Sequence, residues 1–340
     1  MFESAELGQK VDKDTWSAEM PPLREALLAA QYELLAARRF PVLVVIGGVD
    51  GAGKGETVNL LNEWMDPRHI HTVAFPEPSD EESERPPMWR FWRELPGRGR
   101  IGIHFGSWYT QPIVARAGGD LKRAGFEAAL GHVARLERML ADEGALLLKF
   151  WFHLSKPAQK ARLDKLEDDP DTRWRVTAQD WKKFKHYDKF RKTSAEALRL
   201  TATAWAPWHV VEGSDARHRS LTVGRLLLAA MRARLDAPPE PRPTDPTPET
   251  LPPPRPEPDG GQDVLQRLVL DHRLDEDTYD RELERWQGRL NRLTRERKFR
   301  DRSLVLVFEG TDAAGKGGAI RRVTAALDAR QVDVHAIAAP

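Results

Sequence analysis

Apolar residues gather into five short runs in the N-terminal part of the chain: Val42 to Ile46, His71 to Phe75, Ile101 to Phe105, Leu146 to Phe152 and Trp208 to Glu212. Each is short enough for a strand, and the stretches between them carry helical spacing, over Lys54 to Met65, Asp120 to Glu143, Lys156 to Leu166 and Ala216 to Leu235, with a leading helix over Leu23 to Arg39. Strands that alternate with helices predict an α/β domain with a parallel sheet covered on both faces. The pattern then starts again. A helix near Tyr279 to Glu296, an apolar run from Leu304 to Phe308, a further helix and a short strand from Val332 to Ile337 follow before the sequence stops at Pro340.

The restart is a repeat. An offset of 262 residues pairs Asp66 with Asp328, Arg68 with Arg330 and Pro78 with Pro340. Between the copies, residues 237 to 258 contain eleven prolines and almost nothing apolar, so they read as an extended spacer ending at the Gly260-Gly261 break; a docking segment for a proline-binding module is the alternative. The expected organisation is a first domain over 1–236, a linker over 237–261 and the start of a second domain over 262–340. A two-strand parallel sheet leaves apolar faces uncovered, so residues 300–340 are not expected to be stable alone. Either the sequence is part of a longer chain or the second copy borrows a partner surface.

The repeated element carries chemistry. Gly48-Val-Asp-Gly-Ala-Gly-Lys-Gly55 and Gly310-Thr-Asp-Ala-Ala-Gly-Lys-Gly317 each follow an apolar run and precede a helical stretch. In that context a Gly-x-x-x-x-Gly-Lys loop turns backbone N–H groups onto a phosphate while the lysine reaches its outer oxygens. The phosphate-binding glycines are then Gly48, Gly51, Gly53 and Gly55 in one loop and Gly310, Gly315, Gly317 and Gly318 in the other, with Lys54 and Lys316 as catalytic candidates. The residue after each lysine is Gly55 or Gly317, not the usual Ser or Thr that ligates Mg²⁺, so the metal must be held differently. Asp50 and Asp312 are the carboxylates available, as metal ligands or proton acceptors; stabilising a turn is the alternative. Arg173, Arg175, Lys182, Lys183, Lys185, Lys189, Arg191 and Lys192 crowd one segment and read as a basic lid suited to a polyanion, or, since Asp180 and Asp188 interrupt them, as a solvated helix face.

Composition narrows the field. The 340 residues are 40% hydrophobic and 31% charged with a net charge of +1, which does not call for nucleic acid as a partner. The absence of cysteine excludes disulfides, thiolate metal sites and cysteine nucleophiles. The first residues lack the apolar core of a signal peptide and no apolar stretch approaches the roughly 18 residues of a membrane span, so a cytoplasmic location without membrane contact is expected. The ten histidines show no metal-binding spacing and read as structural or solvated. Trp89, Trp92, Trp151 and Trp208 read as core or interface anchors, whereas Trp108 and Tyr109 are expected near the mouth of the first cleft.

These residues resemble a known family. Gly-Thr-Asp-Ala-Ala-Gly-Lys-Gly-Gly at 310–318 is similar to the phosphate loop of the polyphosphate kinase 2 family, and the likeness extends to Trp89-Arg-Phe-Trp-Arg-Glu-Leu-Pro96, Arg98 to Ile103, Ser107-Trp-Tyr109, Lys149 to Ser155, Asp169 to Trp174 and Trp205 to Val211. The resemblance implies a P-loop kinase-like three-layer sandwich, with a five-stranded parallel sheet and a helical lid, followed by the start of a second copy. It implies phosphoryl transfer between inorganic polyphosphate and nucleotides with Mg²⁺, and phosphate contacts from Arg116 and from lid residues such as Arg173, Arg175, Lys182, Lys183 and Lys185. The first copy departs from the family pattern: Phe105 and Gly106 stand where an Asp (or Asn) and an Arg are usual, and Ala115 where Glu is usual, although Arg116 is retained. The first domain is therefore expected to hold phosphate but to be catalytically weak. Fused two-copy members convert AMP to ADP in their second domain, which makes Asp312 and Lys316 the catalytic expectation, ahead of Asp50 and Lys54. ADP as acceptor, an ATP-dependent nucleoside monophosphate kinase and a non-catalytic polyphosphate-binding protein are the rival readings; a homo-oligomer is compatible with the sequence.

Overall fold

The computed structural model describes residues 1–169, 173, 176–238, 273–299, 304–311 and 313–336. All but the first two residues of the expected linker, together with Asp312 and Arg175, lie outside the described residues.

The chain opens with α1 (Lys13–Ala37), β1 (Val42–Gly48), α2 (Lys54–Trp64), β2 (Ile70–Ala74) and two short helices, α3 (Asp80–Ser83) and α4 (Trp89–Arg93). It continues through β3 (Ile101–Phe105), α5 (Thr110–Gly118), α6 (Arg123–Asp142), β4 (Leu146–His153), α7 (Lys156–Asp168), α8 (Ala178–Lys185), α9 (Tyr187–Thr201), β5 (Trp208–Glu212) and α10 (Ala216–Leu235). The five strands pair in parallel in the order β2-β3-β1-β4-β5. The expected α/β sandwich is thus present. Strand β1 is its centre, and its side chains alternate between two cores: Val42, Val44 and Ile46 face α1, α2 and α10, while Leu43 and Val45 face the layer that holds Ile113 of α5 and Phe126 of α6. Two-sided burial is why the strand reads as an unbroken apolar run.

Helix α1 begins ten residues before the expected Leu23. Asp12 caps it, its carboxylate accepting the Thr15 N–H at 2.8 Å, and the helix runs on through Pro21 and Pro22. Prolines look like a helix start because their missing N–H costs nothing in the first turn. Here they sit in the interior.

Beneath β4 lies a buried polar group. Lys149 Nζ donates to Glu137 Oε2 (2.7 Å), the Tyr109 hydroxyl (3.0 Å) and the Thr201 carbonyl (2.8 Å), and Trp108 Nε1 and Tyr109 donate to Glu137 Oε1. Trp108 and Tyr109 are each only 2% exposed, which corrects their expected position at a cleft mouth. They face inward because Glu137 and Lys149 give their polar tips partners in the core. Trp151 is likewise buried, but Trp92 is half exposed.

The second copy contributes α11 (Glu276–Arg295) and α12 (Lys316–Ala325). Its expected strands are not formed among the described residues: Leu304 to Phe308 carries no strand pairing and is exposed, with Val305 at 80%, and residues 332–336 are likewise unpaired. A strand exists through its neighbours, and this run has none beside it. What the copy does have is a dock. Asn59 of α2 donates to the Leu327 carbonyl (3.0 Å), and Arg321, the residue 262 positions on, donates to the carbonyl of Met65, the counterpart of Leu327 (3.0 Å). This exchange of equivalent bonds is the signature of a local two-fold relation between α2 and α12. Ala329 completes it by packing into the core that lies against α1, α2 and α10.

Candidate phosphate-binding site

The first glycine loop leaves the C-terminal end of the central strand and enters α2. Neighbouring crossovers diverge there, the position at which open α/β sheets hold ligands. Two of its glycines are required by space. Gly48 has φ +135°, and a Cβ on it would fall 2.1 Å from the Phe152 carbonyl oxygen; Gly53 has φ +82°, and its Cβ would strike the Arg219 guanidinium at 2.1 Å. Gly51 also takes a left-handed backbone, but Gly55 and Gly317 face open space, so packing does not demand glycine after either lysine.

Lys54 folds over the loop. Its ammonium donates to the carbonyls of Gly48 (2.7 Å) and Val49 (2.9 Å) and to Asp50 Oδ1 (3.4 Å), while Lys183 of α8 reaches Asp50 Oδ2 at 3.2 Å. Burial alone would raise the Asp50 carboxyl, yet the charges of Lys54 and Lys183 outweigh it and hold it below its ordinary value. Burial depresses the Lys54 ammonium; Asp50 opposes the shift, and Lys183 and Arg330 add to it. Asp50 is the loop's one carboxylate, and no three His, Asp or Glu gather as a metal cage among the described residues. That donor set fits a magnesium carried on phosphate oxygens and completed by one or two carboxylates, the ordinary habit of Mg²⁺.

Of the expected lid residues, Lys183 comes to the loop. Lys182 and Lys185 are exposed on the same helix, and Arg173 is exposed. Arg116 is not in bonding contact with Lys54 or Asp50; its Nη1 donates to the Leu121 carbonyl at 3.2 Å.

Sequence reasoning missed the loop's foundation. Arg219 of α10 is 3% exposed and donates to the Thr57 hydroxyl (3.1 Å), the Gly213 carbonyl (3.0 Å) and Glu56 Oε2 (2.7 Å), bracing the first turn of α2 from below. Gln159 of α7 holds the Asp50 carbonyl at 2.8 Å, and Arg162 holds Glu56 Oε1 at 2.7 Å. None of the three carries a spacing signal, since each arrives from an element more than a hundred residues away.

The second loop repeats the first. Lys316 donates to the carbonyls of Gly310 (2.6 Å) and Thr311 (2.5 Å), as Lys54 does to Gly48 and Val49, and Gly315 holds φ +83° at the helix start. Gly310 holds φ +147°, and Gly317 and Gly318 lie in the first turn of α12. One position differs: Ala313 replaces Gly51 yet keeps the left-handed backbone at φ +63°, a conformation that costs an alanine roughly 1–2 kcal/mol. Retained backbone strain of this kind points to a functional constraint on the loop.

Comparison with known proteins finds relatives over the whole of this chain. The model of a family described as polyphosphate kinase 2 matches residues 10–238 and 273–340. A polyphosphate:AMP phosphotransferase of Pseudomonas aeruginosa is 53% identical over 344 residues, covering 100% of this chain and 68% of the relative. A protein of the same name from Pseudomonas syringae pv. tomato is 50% identical, covering 100% of this chain and 67% of its own length. A solved structure from Pseudomonas aeruginosa superposes with a TM-score of 0.63 at 50% identity, over 100% of this chain and 66% of that one, and a polyphosphate kinase 2 from Arthrobacter aurescens TC1 gives 0.65 at 27% identity, over 70% and 86%. The chain thus spans about two thirds of the length of the two Pseudomonas relatives.

Proposed function

Because the chain belongs to the polyphosphate kinase 2 family, we propose that it serves polyphosphate:AMP phosphotransfer, moving a phosphoryl group from inorganic polyphosphate to AMP to give ADP. The observation that carries this reading is the pair of congruent loops, each with a lysine poised over its own carbonyls. Phosphoryl transfer depends chiefly on positioning and on neutralising charge, and these loops supply both through backbone N–H groups and one ammonium. Lys316 would neutralise the transferring phosphoryl group in the second copy. In the first, Lys54 would hold the polymer, with Lys183 swinging from Asp50 to a phosphate oxygen and the remaining basic residues of α8 tracking the chain. Asp50 and Asp312 would hold Mg²⁺, which supplies charge neutralisation when bound.

Catalysis is assigned to the second copy because the end of β3 in the first, Phe105 and Gly106, offers neither carboxylate nor guanidinium. No described helix is long and apolar enough to cross a membrane, and the cytoplasm, where AMP is available, is the proposed location.

The test is phosphotransfer from long-chain polyphosphate to AMP with Mg²⁺, in this chain and in a version extended to the length of its relatives. Activity confined to the extended protein, abolished by Lys316→Ala but only weakened by Lys54→Ala, is the expected result. Equal loss from both substitutions would overturn the division of labour, and turnover with ADP in preference to AMP would replace the acceptor.

A further inference from the structure

The end of β3 beside the first loop is bare of its own cations, yet a cation is there. Arg330, from the second copy, stacks its guanidinium 4.8 Å from the centre of the Phe105 ring. Phe105 pairs in register with Ile46 of β1, and the Gly106 N–H bonds the Ile46 carbonyl at 3.2 Å, so this ring lies two residues from the start of the glycine loop.

The placement is built. Asp328 takes the Arg330 backbone N–H at 3.0 Å, Nε at 2.9 Å and Nη2 at 2.6 Å, which fixes the side chain and leaves Nη1 without a hydrogen-bond partner among the described residues. The turn is in turn pinned to the first copy, since the Ala329 N–H donates to Asn59 Oδ1 at 3.2 Å and Ala329 is buried. The Arg330 side chain is half exposed. Its charge is felt by Lys54, and that of Asp50 is felt by Arg330.

We propose that Arg330 is a binding residue of the first phosphate loop, lent by the second copy, and that it grips a phosphate oxygen of inorganic polyphosphate alongside Lys54. The inference rests on the reading of the first loop as a polyphosphate-holding site. An arginine prearranged by a carboxylate and an aromatic face loses little freedom on binding, which suits it to bidentate recognition of phosphate. Its counterpart Arg68 makes the same bonds to Asp66 within its own turn, so the turn alone accounts for the ion pair but not for its delivery to the partner copy's loop.

The experiment is calorimetric titration of short-chain inorganic polyphosphate into the full chain carrying Lys316→Ala, which silences the second loop. Arg330→Gln is expected to weaken binding roughly tenfold or more, the size expected for one charge-assisted hydrogen bond, and Arg330→Lys, which keeps the charge but loses the fork held by Asp328, is expected to recover only part of it. In a chain that also carries Lys54→Ala, Arg330→Gln should change the residual affinity little. Unchanged affinity in Arg330→Gln, or an equal loss with and without Lys54, overturns the inference while the first loop stands as a site. If Lys54→Ala alone leaves binding intact, the reading of the first loop falls and the inference with it. Thermal unfolding of each variant, expected to match the parent, separates lost binding from lost structure.

Discussion

The two copies agree where structure is local and part company where it is not. Three paired positions of the glycine loops share a left-handed backbone, each lysine ties back to the same two carbonyls, and Asp66-Pro67-Arg68 and Asp328-Ala329-Arg330 form the same turn with nearly the same bond lengths. The apolar runs before the loops have opposite fates. Val42 to Ile46 is buried on both faces in the middle of five strands, whereas Leu304 to Phe308 lies exposed and unpaired. The comparison teaches that a loop and a helix start are specified within about ten residues, while a parallel strand is specified by partners distant in sequence.

The sharpest way to break this comparison is to separate the copies. An isolated segment over 262–340 is expected to show no cooperative transition in chemical denaturation, whereas residues 1–238 should unfold in one step; a sigmoidal transition in the short segment would show that the second copy carries its own core. A smaller effect marks the first copy alone. His104 in β3 is fully buried, and burial drives its imidazole down to about 4. The unfolded chain takes a proton there as pH falls through about 6.5 while the folded chain does not, so stability is complete above that pH and about 3 kcal/mol is lost on descending to about 4. Denaturation midpoints at pH 7 and pH 4.5 should therefore converge in His104→Phe; an unchanged pH dependence would place the loss elsewhere. The smallest effect tests the dock. Asn59→Ala removes the bonds to the Leu327 carbonyl and from the Ala329 N–H, leaves the Arg321 bond to Met65 in place, and is expected to cost about 1–2 kcal/mol, seen as faster hydrogen exchange in α12 with β1 unaffected.

Much of this architecture is legible in the sequence because the first copy is consistent across levels. The runs at Ile101 to Phe105 and Trp208 to Glu212 are strands at the boundaries that their apolar pattern predicts, and Ala216 to Leu235 is a helix from end to end. Periodicity could not show that Pro21 and Pro22 lie inside α1, because the cap that starts the helix stands ten residues earlier at Asp12. It could not show that Trp108 and Tyr109 turn inward, since their reason, a Glu137–Lys149 pair, is assembled from a helix and a strand elsewhere. The two glycine loops and the place of each lysine at the start of its helix were legible through spacing. The positions of Arg219 and Arg330 were not, because each reaches its contact across the tertiary fold, one from the last helix of the first copy and the other from the second copy altogether.

The tie of Lys54 to its own carbonyls has a consequence for what the loop will accept. An incoming anion must draw the ammonium away from Gly48 and Val49 and compete with Asp50 for it, so occupancy begins with a debt of two or three hydrogen bonds, each of about 1 kcal/mol net. Chloride or a single orthophosphate offers little against that threshold. A polymer that engages the loop, the lid and a neighbouring guanidinium in one event overcomes it through effective concentration, because every grip after the first is intramolecular. On the proposed reading, the latch would discriminate by chain length, favouring long polyanions over small anions.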